Sequence, residues 1–66
     1  MNNIKIFRKQ KNLTLNELSL KTNISVGYLC HLENGSRKNP SYKTMQKISK
    51  ALEKEIGEVF WFFMVM

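Results

Sequence analysis

The sequence predicts an all-α fold, a compact bundle of about five short helices, and three observations carry that prediction. Two helix starts are written in side-chain chemistry at Thr14 and Ser25, with a residue suited to a left-handed turn, Asn23, between them. Further along, Met45, Ile48 and Leu52 recur at spacings of three and four, the period of one helix face. With 42% apolar and 24% charged residues, the chain has the composition of a globule rather than of a disordered segment.

Helix 1 is expected from Asn2 or Asn3 to about Lys11, with Ile4 and Phe7 on its inner side and Lys5, Arg8 and Lys9 among the charges around it. Asn12 then caps it. Helix 2 follows at about 15–22. Thr14 is its N-cap, Glu17 completes a capping box, and Leu13 with Leu18 forms the hydrophobic staple that fixes the entry of the chain. The same grammar repeats for helix 3 at about 26–34, where Ser25 caps, Ile24 and Leu29 staple, and Gly35 closes. Ser19 is the small residue placed where the two helices approach. Leu18, Leu29 and Leu32 point inward, while Val26, Gly27, Cys30 and His31 point out.

The polar and basic stretch from Ser36 to Asn39 ends at Pro40, and Ser41 caps helix 4. Its inner positions are Tyr42, Met45, Ile48 and Leu52; Lys43, Lys47, Lys50 and Lys54 make a stripe on the other side, read as a solvated face. Helix 5 rests on Ile56, Val59 and Phe60, with Gly57 lowering its propensity. Trp61, Phe62, Phe63, Met64, Val65 and Met66 then exceed what one small core absorbs. Such an apolar tail, residues 59–66, usually marks an interface, with extra core packing and a truncation product as the other readings.

Residues 1–66 are expected to form one domain, and a chain of this length is marginal as an isolated monomer. Its formal charge of +6 is unevenly spread: ten Lys or Arg stand against Glu17 and Glu33 up to residue 50, whereas Glu53, Glu55 and Glu58 outweigh Lys54 beyond it. A basic body of this kind suits a polyanion partner; a surface charged only for solubility is the plainer reading. Cys30 is the sole cysteine, which excludes an internal disulfide and fits a reducing, cytoplasmic setting. The N-terminus lacks a signal-length apolar core, and the eight apolar residues Val59 to Met66 fall far short of the ~20 needed to span a bilayer.

Thr14-x-x-Glu17-Leu18, Ile24-Ser25, Leu29-x-x-Leu32-Glu33-Asn34-Gly35 and Asn39-Pro40-Ser41 together resemble the helix-turn-helix of the phage Cro and cI repressors, the XRE class, over residues 4 to about 60. The resemblance implies a lambda-repressor-like DNA-binding domain and a structural ion pair between Arg8 and Glu33 that ties helix 1 to the end of helix 3. In this family the side made by helices 4 and 5 commonly forms a twofold dimer, which would put Trp61, Phe62, Phe63 and Met64 at the contact. Two departures stand out: Asn12 occupies a place where the family usually has Gly, and Leu15 one where it usually has a phosphate-binding Gln.

A helix-turn-helix lays its second helix in the major groove. The base-contacting candidates are therefore Val26, Gly27, Cys30 and His31, where matching family positions carry Gln, Arg or Ser. Val26 offers only apolar contact, most naturally to a thymine methyl, and His31 is the polar group placed to reach a base edge. Phosphate contact and simple solvent exposure are the other readings of His31. Gly27 either permits close approach or merely weakens the helix, and a Cys placed like Cys30 is more often packing than ligand. Phosphate candidates are Ser25, Tyr28, Arg37, Lys38 and Lys43. The expectation is a double-stranded DNA partner, a symmetric homodimer on an inverted repeat, and repression by occupying an operator.

Other classes fare worse. One His, one Cys and no Asp leave an enzyme without a catalytic set and four-coordinate zinc without ligands, so neither enzyme activity nor cofactor nor metal is expected. A membrane-surface peptide conflicts with the capped, short helices. An antitoxin-like protein, which binds a protein partner of unknown identity and represses its own promoter, is the principal alternative.

Overall fold

The computed structural model describes residues 2–35 and 40–60. Five helices follow one another: α1 (Ile4–Gln10), α2 (Leu15–Thr22), α3 (Val26–Asn34), α4 (Tyr42–Leu52) and α5 (Ile56–Val59). α2 packs on α3 and α4, and α4 in turn holds α1 and α5.

The helix boundaries are set by side chains and left-handed residues. Thr14 accepts from the Glu17 N–H at 3.0 Å while the Glu17 carboxylate accepts from the Thr14 N–H at 2.8 Å, which occupies two N–H groups that α2 itself cannot satisfy. Ser25 does half of this for α3, accepting from the Tyr28 N–H at 3.1 Å, and Ser41 for α4, accepting from the Thr44 N–H at 3.1 Å. Each such cap is worth about 1 kcal/mol. At the other ends, Asn12 (φ 57°), Asn23 (φ 60°), Gly35 (φ 80°) and Glu53 (φ 58°) all turn left-handed. After α1 the Asn12 N–H reaches the Lys9 carbonyl and the Leu13 N–H the Arg8 carbonyl, the paired bonds of a Schellman turn. The same pair, Glu53 to Lys50 and Lys54 to Ser49, closes α4.

Among the described residues, nine apolar side chains make the core: Ile4, Leu18, Leu29, Leu32, Met45, Ile48, Leu52, Val59 and Phe60. Phe7, Leu13, Leu15, Ile24, Tyr28, Ala51 and Ile56 pack around it, so both staples are in place. Tyr42 corrects the expectation from periodicity. It is 59% exposed because it starts the first turn of α4, beyond the reach of the other helices, and the inner face begins only at Met45. Ser49 takes the place on that face instead, 2% exposed, with no hydrogen-bond partner for its hydroxyl among the described residues.

The chain start is sewn to both ends of the molecule. Asn2 donates to the Leu32 carbonyl at 2.9 Å, and Asn3 donates from its side chain to Glu58 and from its backbone to Val59, each at 2.8 Å. Lys11 reaches across to Glu53 at 2.6 Å, and Lys54 lies 4.9 Å from the centre of the Phe7 ring. That hydrogen bond and the charge of Lys11, with Lys21 adding a smaller effect, hold the Glu53 carboxyl below the usual glutamate range.

Candidate nucleic-acid interface

α2 and α3 are joined by three residues, Asn23, Ile24 and Ser25. The Asn23 N–H returns to the Ser19 carbonyl at 2.8 Å, and the Ser19 hydroxyl donates across the turn to the Ile24 carbonyl. A larger side chain at position 19 would occupy the place of that bond, which is why a small hydroxyl residue sits where the helices approach. The Thr22 hydroxyl, buried, donates to the Leu18 carbonyl at 2.8 Å and accepts from the Ile24 N–H at 3.3 Å. With its backbone groups satisfied inside the turn, the angle between α2 and α3 is fixed locally.

Arg8 fixes it globally. Its Nε donates to Glu33 Oε2 at 2.7 Å, one terminal nitrogen donates to Glu33 Oε1 at 3.2 Å, and the other donates to the Leu13 carbonyl at 2.7 Å. One guanidinium thus holds α1, the segment entering α2, and the last turn of α3. Both side chains are largely buried, at 11% and 5% exposure. The planar fork suits this geometry as a lysine could not.

On the outward side of α3, Gly27 and His31 are exposed, and Val26 and Cys30 are half-buried. Each pair is spaced i, i+4, so the four residues form a patch about one helical turn long. A Cβ built on Gly27 meets nothing within 4 Å. Packing inside the protein therefore gives no reason for glycine there, although it weakens the helix by roughly 1 kcal/mol relative to alanine. Asn34, three residues beyond His31, is exposed on the same side and donates to Cys30 Sγ at 3.5 Å. The i+3 spacing from His31 could have marked it in the sequence, but its place in the closing Leu-Glu-Asn-Gly run hid it.

Around this patch Ser25 is exposed at the helix start, Tyr28 is half-buried with its ring against the core, and Lys43 is exposed at the start of α4. Arg37 and Lys38 lie outside the described residues, as do Trp61, Phe62, Phe63 and Met64. Among the described residues no group of three or more His, Cys, Asp or Glu could hold a metal ion, and no helix is long and apolar enough to cross a membrane.

The family model described as helix-turn-helix matches residues 4–59, which takes in all five helices. The chain belongs to the XRE-type helix-turn-helix family. Its architecture is accordingly lambda-repressor-like, with α2 and α3 as the two helices of the motif. Among its relatives, the HTH-type transcriptional regulator SlrR of Bacillus subtilis is 37% identical over 57 residues, 86% of this chain and 38% of SlrR. The HTH-type transcriptional regulator SinR is 34% identical over 53 residues both in Bacillus subtilis and in Bacillus licheniformis, covering 80% of this chain and 48% of SinR. The chain thus spans less than half the length of these curated relatives. No solved structure matches it at the level of these relatives.

Proposed function

We propose that this helix-turn-helix chain binds double-stranded DNA with sequence preference and regulates transcription, as a repressor that occupies an inverted-repeat operator as a symmetric dimer in the cytoplasm. The observation that carries the reading is the bare, exposed patch at the start of α3. A helix with nothing behind Gly27 and an unburied His31 one turn on is shaped for a groove wall to come close. Family membership and the names of the relatives support the same reading.

In this proposal His31 reads a base edge, Val26 meets a thymine methyl, Gly27 lets the helix approach closely, and Cys30 lies beside His31 against the bases. Ser25, Tyr28, Arg37, Lys38 and Lys43 take phosphates, which supply most of the affinity and none of the sequence information. So few polar readers leave each half-site with modest discrimination. Two recognition helices about 34 Å apart, one turn of the duplex, share the task. The tail residues Trp61, Phe62, Phe63 and Met64 join the two copies.

Selection from random duplexes, followed by sequencing, tests symmetry and preference together: an enriched inverted repeat is expected. His31→Ala should lower discrimination among sites and leave the salt dependence unchanged, whereas Arg37→Ala should weaken all sequences alike and reduce the salt slope by about one. Gly27→Ala should raise stability by roughly 1 kcal/mol yet weaken binding to the selected site. Absence of any retardation on duplexes in dilute buffer, or identical behaviour of the His31 and Arg37 variants, would overturn the reading.

A further inference from the structure

A trough runs between the last turn of α2 and the outer side of α4. Its larger part, about 480 Å³, is walled by Lys21 and Asn23 from the end of α2 and by Lys47, Lys50, Ala51 and Glu53 from α4. A smaller part of about 310 Å³ shares Lys47 and Lys50 and continues to Lys43 and Gln46. No residue of α3 lines either part, so the trough is separate from the patch proposed to read bases, and it shares only Lys43 with the proposed phosphate contacts. Lys21, Lys43, Lys47 and Lys50 are exposed, and no carboxylate lies within ion-pair distance of them among the described residues. Glu53 also lines the trough, its side chain 75% exposed and its Oε1 taken by Lys11.

We propose that this trough is a docking site for an extended acidic segment of a partner protein. Charge complementarity argues for an anion, and the rest of the lining argues for a peptide rather than a nucleic-acid strand. Along α4, Lys43 and Lys47 stand about 6 Å apart in rise, close to the roughly 6.6 Å between same-side residues of an extended chain. Glu53 and Asn23, both in the lining, carry side-chain oxygens that accept from N–H donors. A peptide backbone brings such donors beside its acidic side chains, whereas a phosphodiester backbone brings none.

The test uses the full chain and an octapeptide of alternating glutamate and serine, labelled for fluorescence anisotropy at low ionic strength. Lys47→Gln/Lys50→Gln is compared with Lys5→Gln/Lys9→Gln, which removes the same charge from exposed sites on α1. The trough variant should bind the peptide about tenfold more weakly and the α1 variant less than about twofold, because only the first removes charges in contact. Equal losses in the two variants would overturn the proposal, as would tighter binding of an oligothymidylate of equal charge at the same lysines. Duplex DNA is titrated in parallel. The trough variant should retain it, and a joint loss of peptide and duplex by the same factor would assign the trough to the DNA interface instead. The peptide measurements decide the matter whether or not any duplex is bound, so failure of the DNA-binding reading is seen separately.

Discussion

Truncating Glu33 to alanine strips Arg8, whose side chain is 11% exposed in the intact protein, of two hydrogen bonds, at 2.7 and 3.2 Å, and leaves its guanidinium the bond to the Leu13 carbonyl. Breaking a buried pair from one side costs about 3 to 5 kcal/mol, and the surviving bond to Leu13 places this case near ~3 kcal/mol. A chain of 66 residues is stable by only about 3 to 10 kcal/mol in all, so a third or more would go. At roughly 4 to 8 °C per kcal/mol in a domain of this size, the melting temperature should fall by about 12 to 24 °C. Removing both charges is expected to be much milder. Arg8→Met/Glu33→Leu gives back the desolvation of two ions and should lie within about 1 kcal/mol of the wild type. Urea titrations of the three proteins followed by circular dichroism measure these differences. A loss below about 1 kcal/mol in Glu33→Ala, or a double variant weaker than the single one, would refute the idea that a stranded charge is what costs the stability.

Three further perturbations follow from the fold. Ser49→Ala removes a buried hydroxyl that has no partner among the described residues and places a better helix former in mid-helix, so the urea midpoint should rise by the equivalent of about 1 kcal/mol. Asn23→Val forces a β-branched residue to φ 60° and should cost about 1 to 2 kcal/mol, whereas Asn23→Gly should be close to neutral; equal losses would point to the side chain rather than the backbone. The Glu53 carboxyl titrates below its ordinary range because Lys11 holds its charged form. Its contribution is therefore complete above the ordinary glutamate value and fades as pH falls through the lowered one, so the wild type should lead Glu53→Gln in thermal stability at neutral pH and lose that lead in acid.

Helix boundaries were readable because their signals are local. Thr14 with Glu17, Ser25 and Ser41 announce starts through side chains that bond their own backbone, and Asn12, Asn23 and Gly35 announce ends through residues that tolerate positive φ. Glu53 carries no such announcement. A glutamate turns left-handed there with its carboxylate bonded to Lys11, a contact from the far end of α1 that spacing does not reveal. Tyr42 and Ser49 show the limit of periodicity, which says what lies on one face of a helix but not how far along it the neighbours extend. The exposed patch on α3 was visible as a set of outward positions; that no neighbour meets a Cβ at Gly27 was not. The trough was invisible for the same reason, because Lys21 and Lys50 share it only once α2 lies beside α4.

Arg8 also sets a boundary on what can be borrowed from this protein. The segment from Leu13 to Gly35 carries its own starts and stops and looks portable, yet the tilt of its second helix is anchored by a residue that precedes it in the chain. Grafted onto a foreign host without that upstream clamp, it would keep its shape and lose its aim.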